Sequence, residues 1–222
     1  MSSYSALMLL AGNLTILVIL CLIPIAKKIG LVDKPGGRKK HHGNTPLIGG
    51  ISIFLVLFIF AFFTDYFQDK WVPVLWAVSI LIFTGIIDDF WDLRPLYKLF
   101  AQIIAGILVI FITGNFIEII AYLPSGNSVN IDEFGYLLTL VAIVGLINAF
   151  NMIDGIDGLA TVQAILSIIL IFATMIIMEI TFSNDFFVIF LIGTLIGFLV
   201  SNLNLLPQKK VFLGDAGSMM LG

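Results

Sequence analysis

The sequence predicts an all-α fold: a polytopic helical membrane protein with seven complete spans and the start of an eighth. Three observations carry that expectation. Of the 222 residues, 60% are hydrophobic and only 11% are charged, a composition outside the range of soluble domains. Mean hydropathy is +1.13. Apolar runs of roughly 20 residues, the length a helix needs to cross a hydrocarbon core about 30 Å thick, follow one another along most of the chain.

Ser5 to Ala26 opens the series. It lacks the basic leader and small-residue cleavage site of a signal peptide, so it reads as a retained span. Leu47 to Phe63, Trp71 to Ile87, Leu99 to Thr113, Gly135 to Met152, Leu159 to Phe182 and Phe186 to Leu203 follow. An eighth apolar segment begins near Ala216 and reaches Gly222, yet seven helical residues rise only about 10 Å. The chain is therefore expected to be cut short. With no internal repeat, low-complexity linker or shift in composition, residues 1–222 are expected to form a single transmembrane domain, incomplete at its C-terminus.

Positive charge sets the orientation. The link after the first span holds Lys27, Lys28, Lys34, Arg38, Lys39 and Lys40, the link after the third holds Arg94 and Lys98, and the link after the seventh holds Lys209 and Lys210. These three links lie on one side and carry ten of the 11 basic residues. The positive-inside rule makes that side cytoplasmic and places the N-terminus outside. The opposite side has Lys70 alone, and its long link, Asn115 to Phe134, is expected to form a hairpin or an interfacial segment.

Charge and cysteine content exclude two classes. Eleven basic against 14 acidic residues give a net charge of −3, so no global basic surface exists to hold nucleic acid. The single cysteine, Cys21, allows neither an internal disulfide nor a cysteine metal cluster. It is expected as a small buried apolar side chain.

Seven of the 14 acidic residues fall on the predicted cytoplasmic side, six of them in three compact motifs at helix ends. Carboxylates near hydrocarbon each cost a few kcal/mol and need cations, hydrogen bonds or a wet cavity beside them. The first motif is Asp88-Asp89-Phe90-Trp91-Asp92. If the helix continues, Asp88 and Asp92 share a face while Asp89 points elsewhere. An acidic cap paired with Arg94 and Lys98 is the structural alternative, although a helix C-terminus disfavours negative charge. The second motif runs from Asn148 through Asn151, Asp154 and Asp157 to Gly158, with a polar side chain at every third residue. Its two Asp-Gly pairs suit a tight turn, but a turn does not explain Asn148 and Asn151 inside an apolar helix. The third is Phe212-Leu213-Gly214-Asp215-Ala216-Gly217-Ser218, a small-residue turn opening a helix, where Asp215 is equally readable as a cap.

Taken together, hard oxygen donors without a Cys or His cluster favour Mg²⁺, with Mn²⁺ as the alternative ion. Mg²⁺ commonly binds one or two carboxylates plus substrate phosphates, which implies phosphoryl transfer at a membrane surface. The basic link from Lys27 to His42 suits neutralisation of nucleotide or lipid phosphates, and serves equally as topogenic charge. His41 and His42 are sequence neighbours and make a poor bidentate metal pair, so His41 is placed with the substrate-binding residues.

These motifs, in this order and preceded by Arg38-Lys39-Lys40-His41 and Pro46-Leu47-Ile48-Gly49-Gly50, resemble those of the polyprenyl-phosphate N-acetylhexosamine-1-phosphate transferases. The resemblance covers the chain from about Lys27 onward and is strongest to the branch that uses undecaprenyl phosphate and GlcNAc. It implies Mg²⁺-dependent transfer of GlcNAc-1-phosphate from UDP-GlcNAc to undecaprenyl phosphate, with release of UMP, as the first step of a lipid-linked surface polysaccharide. It implies that Asp215 and Asn151 hold the metal, and that Asp88 and Asp89 are an essential catalytic pair. Lys98, with Gln102 one turn later, matches a basic residue near the phosphates. Asp157 and Phe212 match positions that contact and stack on uracil, and Asn148 and Asp154 join them as substrate-binding candidates. The location implied is the bacterial inner membrane, with the site on its cytoplasmic face among membrane lipid. A homodimer stays open as an assembly. Further spans and a histidine-containing segment past Gly222 are also implied, so a chain ending there is expected to be inactive.

Two other readings remain. Within the same class, the group transferred is phospho-MurNAc-pentapeptide or the sugar-1-phosphate of another UDP-HexNAc. In a different class, the chain is a cation or nucleotide-sugar transporter, although transporters concentrate polar groups in broken helices at the bilayer midplane.

Overall fold

The computed structural model describes residues 3–33, 44–63, 71–122, 124, 128–179, 185–206 and 210–222. Its helices are α1 (Ser3–Ile29), α2 (Gly49–Phe63), α3 (Trp71–Trp91), α4 (Pro95–Thr113), α5 (Phe134–Ile153), α6 (Leu159–Ile177), α7 (Asp185–Asn202) and α8 (Gly214–Leu221). Five of them, α1, α3, α4, α5 and α6, are long and apolar enough to cross a membrane. The protein is a helical, multi-pass membrane protein. Helices α2 and α7 are equally apolar but shorter; the 15 residues of α2 rise about 22 Å. The predicted sixth span runs to Phe182, whereas α6 ends at Ile177, and residues 180–184 lie outside the described set.

Two small antiparallel ladders interrupt the helical pattern. Strand β1 (Val32–Asp33) pairs with β2 (Thr45–Pro46), closing the basic first link at its base, with Asp33 opposite Thr45. Strands β3 (Ile119–Tyr122) and β4 (Ser128–Asn130) pair antiparallel within the long link Asn115 to Phe134, the first of the two forms expected of it, a hairpin or an interfacial segment. Cys21 differs from its expectation: it is exposed on α1. In a bilayer an outward apolar side chain meets lipid rather than water, so burial inside the bundle is not required.

Lipid chains are as apolar as leucine, so helices associate in a membrane mainly through close packing. The α1–α7 pair illustrates this. Gly193 and Gly197, one turn apart on α7, face Gly12 and Met8 of α1, and a methyl group on either would overlap that backbone. Around the seam Ile19, Ile53, Phe190, Leu195 and Phe198 are almost fully buried, and the Phe60 and Phe190 rings stack with centroids 3.8 Å apart.

Helix α8 is the element that organises the site. It packs against α2, α3, α5 and α6, with Ala216, Gly217, Ser218 and Met219 buried. Methyl groups on Gly50 of α2 or Gly85 of α3 would overlap the backbones of Gly217 and Ala216. The approach to α8 is docked by backbone bonds to the segment before α2: Phe212 N–H donates to Pro46 O, Gly49 N–H to Phe212 O and Gly50 N–H to Leu213 O, each at 2.9 Å.

Candidate active site

Helix α3 continues past the predicted Ile87 and carries Asp88 and Asp89 in its last turn. It stops because Asp92 adopts a left-handed conformation, φ +48°, which aspartate tolerates better than most residues. Asp92 therefore does not share the helical face of Asp88. Pro95 then opens α4 at a position where its missing N–H is harmless, bringing Lys98 back over the end of α3.

Asp88 is 5% exposed and fully engaged. Its Oδ2 accepts from Lys98 Nζ at 2.6 Å, and its Oδ1 accepts the Leu93 N–H at 2.7 Å. The same ammonium lies 3.8 Å from Asp215 Oδ2. One cation thus bridges the first and third motifs, offsetting the burial of negative charge at a helix C-terminus. Asp215 Oδ1 accepts from Asn151 Nδ2 at 3.0 Å, and Asn151 also donates to Ser218 Oγ at 2.9 Å. Asp89 Oδ1 accepts the backbone N–H of Asp215 at 3.0 Å, while Asp89 Oδ2 is buried without a hydrogen-bond partner. Gly214, at φ +75°, lets the chain turn directly against that oxygen.

The second motif divides. Asn151 reaches the Asp215 cluster, but Asn148 donates to Gln102 Oε1 at 2.7 Å and to Val144 O at 2.8 Å. Gln102 is 2% exposed and also touches Met219. This pair ties α4, α5 and α8 together through polar groups that hydrocarbon would otherwise strand. Past α5, Asp157 Oδ2 accepts from Lys210 Nζ at 2.6 Å, and that ammonium lies 5.2 Å from the centroid of the Phe212 ring. Asp154 stands between the two clusters. Burial, reinforced by the negative charges of Asp215 and Asp157, pushes its carboxyl up to about 7.

Carboxylates of all three motifs open on one cleft of about 760 Å³. Six aspartates line it: Asp33, Asp88, Asp89, Asp154, Asp157 and Asp215. So do Phe212 and Lys210. Lys98 acts on it through Asp88 and Asp215, and His41 lies outside the described residues. Three of its polar side chains were not singled out from sequence as site residues: Asp33, Asn202 and Lys210. Asn202 is buried at the end of α7, donating to Val211 O at 2.9 Å, with its own side-chain oxygen unpartnered. Lys210 had a signal, since residues two apart in an extended segment share a face and Phe212 was already a candidate.

Such a cleft calls for a cation, because crowded carboxylates repel unless one intervenes. Among the described residues no His or Cys lines it. Among the described residues no three His, Cys, Asp or Glu side chains form a protein-only metal cage. That donor set fits a hard ion that takes one or two carboxylates and completes its shell with water and substrate oxygens, and the orphaned Asp89 oxygen beside Asp215 fits the same need.

Residues 71–222 match the family described as Glycosyl transferase family 4. The chain is 35% identical over 202 residues to an undecaprenyl-phosphate alpha-N-acetylglucosaminyl 1-phosphate transferase of Yersinia pestis, covering 89% of this chain and 54% of that protein. Proteins of the same name from Pasteurella multocida and Escherichia coli (strain K12) are 39% and 33% identical, over 93% and 89% of this chain and 58% and 54% of theirs. The chain spans somewhat over half the length of these relatives.

Proposed function

This chain belongs to glycosyl transferase family 4, and on that premise we propose that its cleft serves the transfer of GlcNAc-1-phosphate from UDP-GlcNAc to undecaprenyl phosphate. In this reaction an oxygen of the lipid phosphate forms a bond to the sugar-bearing phosphorus, the bridging P–O bond of the donor breaks, and UMP leaves. The observation that carries the reading is one bonded cluster of Asp88, Lys98, Asn151 and Asp215, whose two carboxylates line the cleft. Two anionic substrates repel each other, and stabilising charge on the transferring phosphoryl group is the main lever in such chemistry.

Asp215, with Asn151 beside it, would hold Mg²⁺ or Mn²⁺, and Asp89 adds an oxygen on the same side. The ion would supply charge neutralisation and orientation of phosphate oxygens. Lys98 holds Asp88 in place and keeps a positive charge at the mouth of the Asp215 cluster. Asp157 and Phe212 offer a carboxylate acceptor and an aromatic ring for the N–H and ring of uracil.

The acceptor explains the architecture. A polyprenyl chain lives in the bilayer and its phosphate at the interface, so the site belongs where apolar helices end. The cleft takes residues from the ends of α3 and α7, from the turn between α5 and α6 and from the start of α8, which supports a path that alternates across the membrane, read as the inner membrane of a bacterium. With the basic links on the same side, the positive-inside rule makes it the cytoplasmic face. Placement at helix ends, rather than in broken helices at mid-span, favours a transferase over a transporter.

The test is transfer of labelled GlcNAc-1-phosphate by the full-length protein in membranes supplied with undecaprenyl phosphate. A lipid-linked GlcNAc product that disappears on chelation of divalent ions is the expected result. Uptake of UDP-GlcNAc into vesicles without lipid-linked product overturns the proposal.

A further inference from the structure

We propose that Lys210 is the positioning residue of the nucleobase subsite, holding Asp157 and Phe212 in the arrangement that a pyrimidine ring requires. The inference rests on the reading that the cleft takes a uridine nucleotide, and extends it to a residue outside the sequence motifs.

Asp157 comes from a part of the chain distant from Lys210 and Phe212. Asp157 sits in the turn between α5 and α6 and is exposed to solvent, between Gly155, which has open space around it, and Gly158, which packs on Leu199 and Leu203. Phe212 is anchored through its backbone, donating to Pro46 and accepting from Gly49. Lys210 joins them: its ammonium donates to Asp157 Oδ2 at 2.6 Å and lies 5.2 Å from the Phe212 ring centroid. Without that ammonium, Asp157 would face the carboxylate of Asp154, which lines the same cleft and feels its charge, and be driven toward water. With it, a hydrogen-bond acceptor and a ring remain at a fixed separation. Uracil presents a ring N–H to such an acceptor, whereas cytosine presents a bare ring nitrogen there, so the arrangement also favours uridine over cytidine nucleotides.

The alternative role for a lysine in a nucleotide cleft is a direct grip on the diphosphate, and the two are separable. In the full-length enzyme, Lys210→Met is expected to raise KM for UDP-GlcNAc about tenfold with kcat changed less than about twofold, the pattern of lost ground-state binding. Inhibition constants of uridine, UMP and UDP should rise by the same factor. Lys210→Arg should restore KM to within about twofold, and the double variant Lys210→Met with Asp157→Asn should be no worse than the poorer single variant, as expected for groups acting as one unit. Weakening of UMP and UDP with uridine unaffected, additive losses in the double variant, or a fall in kcat at constant KM would each overturn the proposal. If the wild-type protein binds none of the three nucleotides, the reading of the cleft itself fails and the role of Lys210 falls with it. Normal binding by wild type and by Lys210→Met alike sinks the positioning role alone.

Discussion

The Asp89 carboxylate accepts the backbone N–H of Asp215 at 3.0 Å, so a side chain in the last turn of α3 caps the first turn of α8 across 126 residues of sequence. Its neighbour Asp88 turns the other way, to Lys98 and Leu93. The two adjacent aspartates therefore hold different elements: Asp88 fixes the return into α4, and Asp89 fixes the helix that presents Asp215.

Asp89→Ala removes that cap and is expected to lower stability by about 1–2 kcal/mol, the range for loss of a helix N-cap, with near-complete loss of transfer. Asp89→Asn keeps an oxygen that can accept the same N–H and should melt close to wild type. Thermal unfolding in detergent distinguishes them, and equal melting of the Ala and wild-type proteins would show that the cap contributes nothing.

Lys98→Met leaves the Asp88 carboxylate buried without its cation. Breaking a buried pair in this way is expected to destabilise by about 3–5 kcal/mol. Adding Asp88→Asn should recover much of that loss in melting temperature without recovering transfer, because Asp215 still lacks its ammonium neighbour. A double variant as unstable as Lys98→Met would argue against the pair.

For Asp154 the sign of the pH effect follows from a carboxyl pushed up to about 7 above its usual 3.8. Between these values the folded protein binds more protons than the unfolded chain, so stability is greatest near pH 4, falls as pH rises toward 7, and levels off above it. The slope is at most about 1.4 kcal/mol per pH unit for one proton. Melting of metal-free wild-type protein from pH 4.5 to 8 should contain this contribution, and Asp154→Asn should make the pH dependence shallower by up to that slope. Parallel curves for the two proteins would remove Asp154 as the cause.

Gly50→Ala and Gly85→Ala place methyl groups against the backbone of α8 and are expected to cost about 2–3 kcal/mol by overpacking and to reduce transfer at least tenfold by displacing Asp215. Gly145→Ala on α5, with nothing within 4 Å, should be neutral in both assays. Full activity in Gly50→Ala would mean that α8 tolerates displacement.

Much of the architecture was legible in the chain. The apolar runs located seven of the eight helices to within a few residues, because hydrocarbon demands continuous helices wherever the backbone crosses it. The long outer link was read as a hairpin or interfacial segment, and β3 and β4 form a hairpin. The end of α3 was less legible: a shared face for Asp88 and Asp92 needs the helix to continue, and the left-handed Asp92 ends it. The bond of Asn148 to Gln102 was not legible either, because a three-residue spacing does not say which neighbouring helix a side chain will meet.

The sequence by itself determined that this is a helical membrane protein whose carboxylates gather at helix ends, because apolar length, charge placement and motif spacing are properties read along one strand of covalent chain. Only the tertiary structure decided that Lys98 bridges Asp88 and Asp215, that Asp89 caps α8, and that Lys210 joins Asp157 to Phe212. Those relationships depend on how closely one helix approaches another, and here that distance is set by side chains that are absent, at Gly50, Gly85, Gly193 and Gly197. A glycine in a sequence does not announce which backbone will fill its place.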